Sequence, residues 1–205
     1  MTRSIKSFFV VTAVAAATAS CGDVVRQGAA PVMLVIDQLE ASSGNTDVQP
    51  FSNTLFSDVL TNVTSPAPCS PEAPCGTIFA DLGRVTLRLI PKDITGIEPS
   101  TNNAVTIQRY RVKYARGDGR NTLGVDIPYG FDGAATGTVQ VSGTTQIGFE
   151  LVRHVAKEES PLVQLISNPN IISTIAEVTF FGRDQVGNEI SVTGFISVNF
   201  GNFGL

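Results

Sequence analysis

Few side chains in this sequence are equipped for chemistry, and their spacing limits what they could do. The 205 residues include three cysteines, one histidine and no tryptophan. A serine hydrolase would have to use His154 as its base, and no G-x-S-x-G turn is present to present a nucleophile to it. In "LVRHVAKEES" His154 alternates with Val152 and Ala156, the placing of a histidine on the rim of a strand. Glu158 and Glu159 stand next to each other before Ser160-Pro161 and read as a solvated turn, where a glycosidase needs two carboxyls in different environments. The glycines of "RGDGRNTLG" lack phosphate-loop spacing. Asp132, Asp184, Asn188 and Glu189 fall in turn-like stretches but follow no calcium-loop spacing, so their expected work is capping backbone amides. Cys69 and Cys75 have no histidine set or further thiol near them to complete a zinc site. The expectation is a non-enzymatic protein with no catalytic residue, metal or cofactor. Two alternatives stay open. One is a hydrolase whose site is assembled around His154, and the other is a carbohydrate-binding module in which Tyr110, Tyr114 and Tyr129 stack a sugar.

The stretch "TASCGD" at residues 18 to 23 says more about place than about reaction. Arg3 and Lys6 form a short positive region, Phe8 to Ala17 a roughly ten-residue apolar run, and Ala19-Ser20 a small-residue cleavage point. The run falls short of the about 20 apolar residues that span a bilayer. Cys21 follows directly, and the segment resembles the signal and lipobox of bacterial lipoproteins. That resemblance implies that Cys21 is acylated and becomes the first mature residue, and Gly22 after it implies delivery to the outer membrane of the cell envelope. Acyl chains, at about 0.8 kcal/mol per buried methylene, would then be the link to the membrane. Residues 1–20 are thus read as a signal peptide, 21–31 as a tether and 32–205 as the domain, and removing the first leaves about 185 residues of the 205.

Export changes the reading of "PAPCSPEAPC". An oxidising compartment permits a bridge, and Pro71 and Pro74 stiffen the four residues between the cysteines, so a Cys69–Cys75 disulfide pinning a loop is expected.

The elements that must position these residues are strands. Val32, Asn53, Arg84, Ala104, Gly124, Thr136 and Thr145 open runs rich in β-branched and aromatic residues, separated by Gly, Pro, Asn and Asp. The run beginning "GVDIPY" at Gly124 is taken as a strand, and "FELVRHVAKEESPLVQLI" as strand with a helical turn near Asn168 to Thr174, although Leu151, Val152, Val155 and Ala156 also fit one helix face. The clearest unit is the C-terminal pair. Ile190, Val192, Ile196, Val198 and Phe200 share one parity, Ala176, Val178 and Phe180 supply a matching row, and Gly187-Asn188 suits the turn. About eight such strands predict an all-β fold, an antiparallel two-sheet β-sandwich with extra strands or long loops. Val178, Phe180, Gly182, Asp184, Gly187 and Asn188 together resemble the last hairpin of immunoglobulin-like and fibronectin-type modules of bacterial surface proteins. The resemblance implies an immunoglobulin-like sandwich.

Charge marks the remaining candidate. The net charge is −4, which argues against a nucleic-acid partner, yet residues 84 to 120 are locally basic. Arg84 and Arg88 share one parity on their strand, and Arg109, Arg111 and Lys113 share one on theirs. Were the two strands in one sheet, these five would make a basic face for an anionic protein or a phospholipid surface, unless acidic neighbours such as Glu150 or Glu177 paired with it. The function expected is that of a lipid-anchored envelope protein with a structural or binding role.

Overall fold

The computed structural model describes residues 29–44, 50–93 and 100–204. The signal segment, Cys21 and most of the tether lie outside the described residues. Strands dominate: β1 (Val32–Ser42), β2 (Thr54–Asp58), β3 (Thr61–Val63), β4 (Cys75–Thr77), β5 (Asp81–Pro91), β6 (Val105–Ala115), β7 (Phe131–Val139), β8 (Thr144–Val152), β9 (Ile172–Asp184) and β10 (Glu189–Gly201). One short helix, α1 (His154–Glu158), and a 3-10 turn at Leu162–Ile166 join β8 to β9.

A three-stranded sheet has the order β1-β5-β8, a five-stranded sheet the order β2-β10-β9-β6-β7, and β3 pairs with β4 in a small ribbon. The pairings are antiparallel except β2 with β10, which is parallel. The expectation of an all-β, mainly antiparallel fold is met.

Period-two alternation explains where the core lies. On β5, Val85, Leu87 and Leu89 are buried, and on β6, Tyr110, Val112 and Tyr114 are buried, with the arginines and lysine facing out. The two inner faces meet through rings. Phe149 of β8 lies 5.1 Å from Tyr110 and 5.2 Å from Phe180, centroid to centroid. Each buried tyrosine hydroxyl also finds a partner across the gap: Tyr114 donates to the Leu151 carbonyl at 2.6 Å, and Tyr110 accepts from the Glu150 amide at 3.2 Å. Two of these rings lie over glycines. A Cβ on Gly83 would come within 2.3 Å of Phe149, and one on Gly133 within 2.3 Å of Tyr110. At the margins, the Thr145 hydroxyl donates to the Thr138 carbonyl and Ala41 exchanges two backbone bonds with Ser52, so the large sheet curls against the small one.

The β9–β10 hairpin forms as expected, with Ile190 opposite Gly182 and Phe200 opposite Ile172. Asp184 organises its turn. One carboxylate oxygen accepts from the amides of Val186 and Asn188, at 3.0 and 2.8 Å, and the other accepts from the Asn188 side chain. Gly187 takes the positive φ of +95° that the turn requires.

One expected strand is absent and two hold only in part, for tertiary reasons. "GVDIPY" is no strand, because the amides of Val125, Asp126 and Ile127 all converge on the Thr122 carbonyl and Gly124 turns the chain at φ +74°. The Asn53 run divides into β2 and β3, since β2 follows β10 only as far as Asp58 while Thr61 pairs with Thr77. The run from Thr145 leaves the sheet at Val152, and its helical turn is Leu162–Ile166 rather than near Asn168.

Candidate functional site

The five basic residues do not make one face. Arg84 and Arg88 belong to β5 in the small sheet, whereas Arg109, Arg111 and Lys113 belong to β6 in the large one. Both sets face outward as the parity required, but from opposite layers. Most of the charge is also answered locally. Arg84 donates twice to Glu40, its register partner on β1, and lies 4.1 Å over the Phe51 ring. Arg88 pairs with Asp37, and Arg111 donates twice to Asp132, its register partner on β7. Arg109 stacks 3.8 Å from Phe181, and Lys113 stands opposite Glu177. The acids thus come largely from β1 and β7; of the two expected, only Glu177 lies across from a base. Hydrogen bonding from Arg111 holds the Asp132 carboxyl below its usual range.

The second feature follows from where two strands end. The β6–β7 pairing stops at Val112 opposite Phe131, while Lys113, Tyr114 and Ala115 keep partners only on β9. The chain between residues 116 and 130 swings away instead. Its base is fixed where the Arg116 amide donates to Asn121 and where Asp118 accepts from both Arg116 and Arg120. Those two guanidiniums hold the Asp118 carboxyl well below the ordinary range. The space left between β6 and this loop is a cavity of about 640 Å³. Val112, Tyr114, Leu123, Ile127 and Phe131 give it apolar lining, and Arg111, Lys113, Asn121 and Asp132 give it polar lining.

Register places this cavity in the molecule. Val32 pairs with Pro91, Arg88 with Thr144, Thr138 adjoins Thr145, and Val105 pairs with both Val139 and Asp184. All these residues share the end of the domain where β1 begins. The cavity lies at the other, beside the C-terminal end of β6.

The third feature had no signal in the motifs. Lys157 of α1 is 1 % exposed and Asp81 of β5 is 0 % exposed, with the ammonium nitrogen 2.9 Å from one carboxylate oxygen. Lys157 also donates to the Asp58 carbonyl at 2.8 Å. The Ser57 hydroxyl, fully buried, donates to the second Asp81 oxygen at 2.6 Å, and the Gly44 amide donates to the first at 3.0 Å. Burial drives the Asp81 carboxyl above its ordinary value; the Lys157 charge and these hydrogen bonds oppose that shift. Asp81 could have been found, because it shares the buried parity of Gly83, Val85 and Leu87. Lys157 could not, since nothing local tells its inward direction.

The other candidates are scattered. His154 is an exposed residue at the start of α1, not a rim position on a strand. Tyr110 and Tyr114 are core residues, of which Tyr114 edges the cavity lining, while Tyr129 is exposed, so the three form no shared stacking face. Of the acids expected to cap turns, Asp184 does so, whereas Asp132 and Glu189 lie on β7 and β10 and pair with Arg111 and Arg183. Cys69 and Cys75 lie at disulfide distance, 5.4 Å between Cα atoms, tying the proline loop to β4. Among the described residues no three His, Cys, Asp or Glu gather as a metal set, and no helix is long and apolar enough to cross a membrane. No protein-family model matches the chain, and no curated protein matches it.

Proposed function

We propose that the chain is a lipid-anchored binding protein of the bacterial cell envelope, an immunoglobulin-like β-sandwich that takes a ligand at the end of the domain opposite the start of β1. The observation that carries the binding role is the cavity of about 640 Å³ beside Lys113–Ala115. Its volume is within the few hundred to about 1,000 Å³ usual for ligand sites, and its lining mixes apolar side chains with a few polar groups. The anchoring half rests on the register of Arg3, Lys6, the Phe8–Ala17 run and Cys21. The immunoglobulin-like assignment is supported by the β9–β10 hairpin and by the inner faces joined through Phe149, Tyr110 and Phe180.

The ligand class follows from the lining. Arg111 is already paired with Asp132, which leaves the Lys113 charge in the lining, so an apolar molecule with one carboxylate suits the site. A phospholipid surface suits it less, because the cavity lies most of the length of β6, about 25–33 Å, from the end of the domain that holds Val32.

The chain has no tryptophan, so Leu123→Trp gives a single fluorescent reporter in the cavity lining. Titration with a linear fatty acid should change its emission saturably, and the alcohol of equal length should bind about fivefold more weakly, the worth of one exposed charge contact. No saturable change with either compound would remove the binding role.

A further inference from the structure

Lys157 and Asp81 are an amine and a carboxyl group held in contact where solvent does not reach, at 1 % and 0 % exposure. We infer that they condense to an amide, so that α1 and β5 become covalently linked by the chain's own chemistry. The surroundings favour this in three ways. The contact of 2.9 Å is maintained by the fold, and the Asp58 carbonyl, 2.8 Å from the same nitrogen, fixes the amine's direction. From such a contact a small rotation can bring nitrogen over Cγ, and intramolecular reactions of well-oriented groups reach effective molarities of about 10⁵–10⁸ M. Both carboxyl oxygens already accept hydrogen bonds, from the Ser57 hydroxyl at 2.6 Å and the Gly44 amide at 3.0 Å. The dry site also favours the direction that releases water.

The step balances without an oxidant or a second reactant. One proton passes from the ammonium to the carboxylate, giving an amine and a carboxylic acid, which a dry site holds at less cost than two ions. Burial's upward pull on the Asp81 carboxyl assists that transfer. The Nζ lone pair then forms a bond to Cγ of Asp81. Negative charge gathers on the oxygen that Ser57 contacts, and Ser57 is a catalytic residue in this step because it touches that reacting atom. The other carboxyl oxygen takes a second proton from nitrogen, its bond to Cγ breaks, and it leaves as one water. The product is a secondary amide joining positions 76 residues apart in the chain.

The test uses the full chain, denatured, reduced and digested with trypsin, and reads peptide masses. The expected result is a pair of peptides joined through Asp81 and Lys157, lighter than their sum by one water, with no cleavage after Lys157. Complete cleavage there, with both peptides at unmodified mass, overturns the inference and leaves an ion pair. Lys157→Met should abolish the joined pair, and its persistence would place the link elsewhere and likewise overturn the assignment. Ser57→Ala keeps both reacting groups and should lower the joined fraction soon after synthesis by roughly tenfold or more. An unchanged fraction would remove Ser57 from the step. Wild-type protein alone decides the main point, whether or not either variant folds.

Discussion

Lys157 and Asp81 are also the residues on which stability should depend most sharply. Whether the two stay an ion pair or are joined as the inferred amide, removing one leaves the other's charge buried alone, at a cost of about 3–5 kcal/mol. Denaturant unfolding of Asp81→Leu and Lys157→Met should each show a loss of that order, and the double variant should lose clearly less than the two together. Simple additivity would mean that the two residues do not act as a unit. Arg111 and Asp132 illustrate the exposed case. The folded Asp132 value is lowered, so its contribution is present above the ordinary aspartate value of 3.8 and fades as pH falls through the folded one. An NMR titration should find the Asp132 midpoint below 3.8, and Arg111→Ala should bring it back up. At this scale the sequence showed direction but not partnership. Strand parity correctly put Arg84, Arg88, Arg109, Arg111 and Lys113 outside, yet Glu40 is 44 residues from Arg84 and Asp132 is 21 from Arg111. No local pattern reports such distances.

Between residue and fold, the informative contrast is between two connections. The β9–β10 turn was legible because its determinants, Asp184, Gly187 and Asn188, are adjacent in the chain and act on each other. Asp184→Ala should cost about 1–2 kcal/mol in unfolding measurements, since two backbone amides lose their acceptor. The loop from 116 to 130 was misread in part as a strand, because Val125, Ile127 and Tyr129 alternate with Asp126 and Pro128. What decides its shape is the convergence of amides on the Thr122 carbonyl and the clasp of Asp118 by two arginines. Asp118→Ala should therefore raise hydrogen exchange across residues 116–130 while leaving β9 and β10 protected. Equal protection in the variant would show that the clasp does not hold the loop. The cavity was invisible for a related reason: it exists because β7 begins opposite Val112 and not opposite Ala115, a matter of register alone.

For the molecule as a whole, composition and alternation sufficed for an all-β domain, and strand order was beyond them. The five-residue basic face failed on this point, since β5 and β6 carry the right parities in different sheets. Topology puts the ligand cavity at the end of the domain opposite the start of β1, the strand that the proposed tether precedes. Anchoring has its own check: Cys21→Ala should move the protein from washed membranes to the soluble fraction, and retention on membranes would place the attachment elsewhere. The binding role is tested most directly by native mass spectrometry of protein released gently from its own membranes, wild type beside Ala115→Trp, a change that fills the cavity from its lining. The account predicts a small acidic, largely apolar adduct on the wild type that is lost from the variant. A wild type free of adduct, or an adduct that the filled cavity retains, would contradict it.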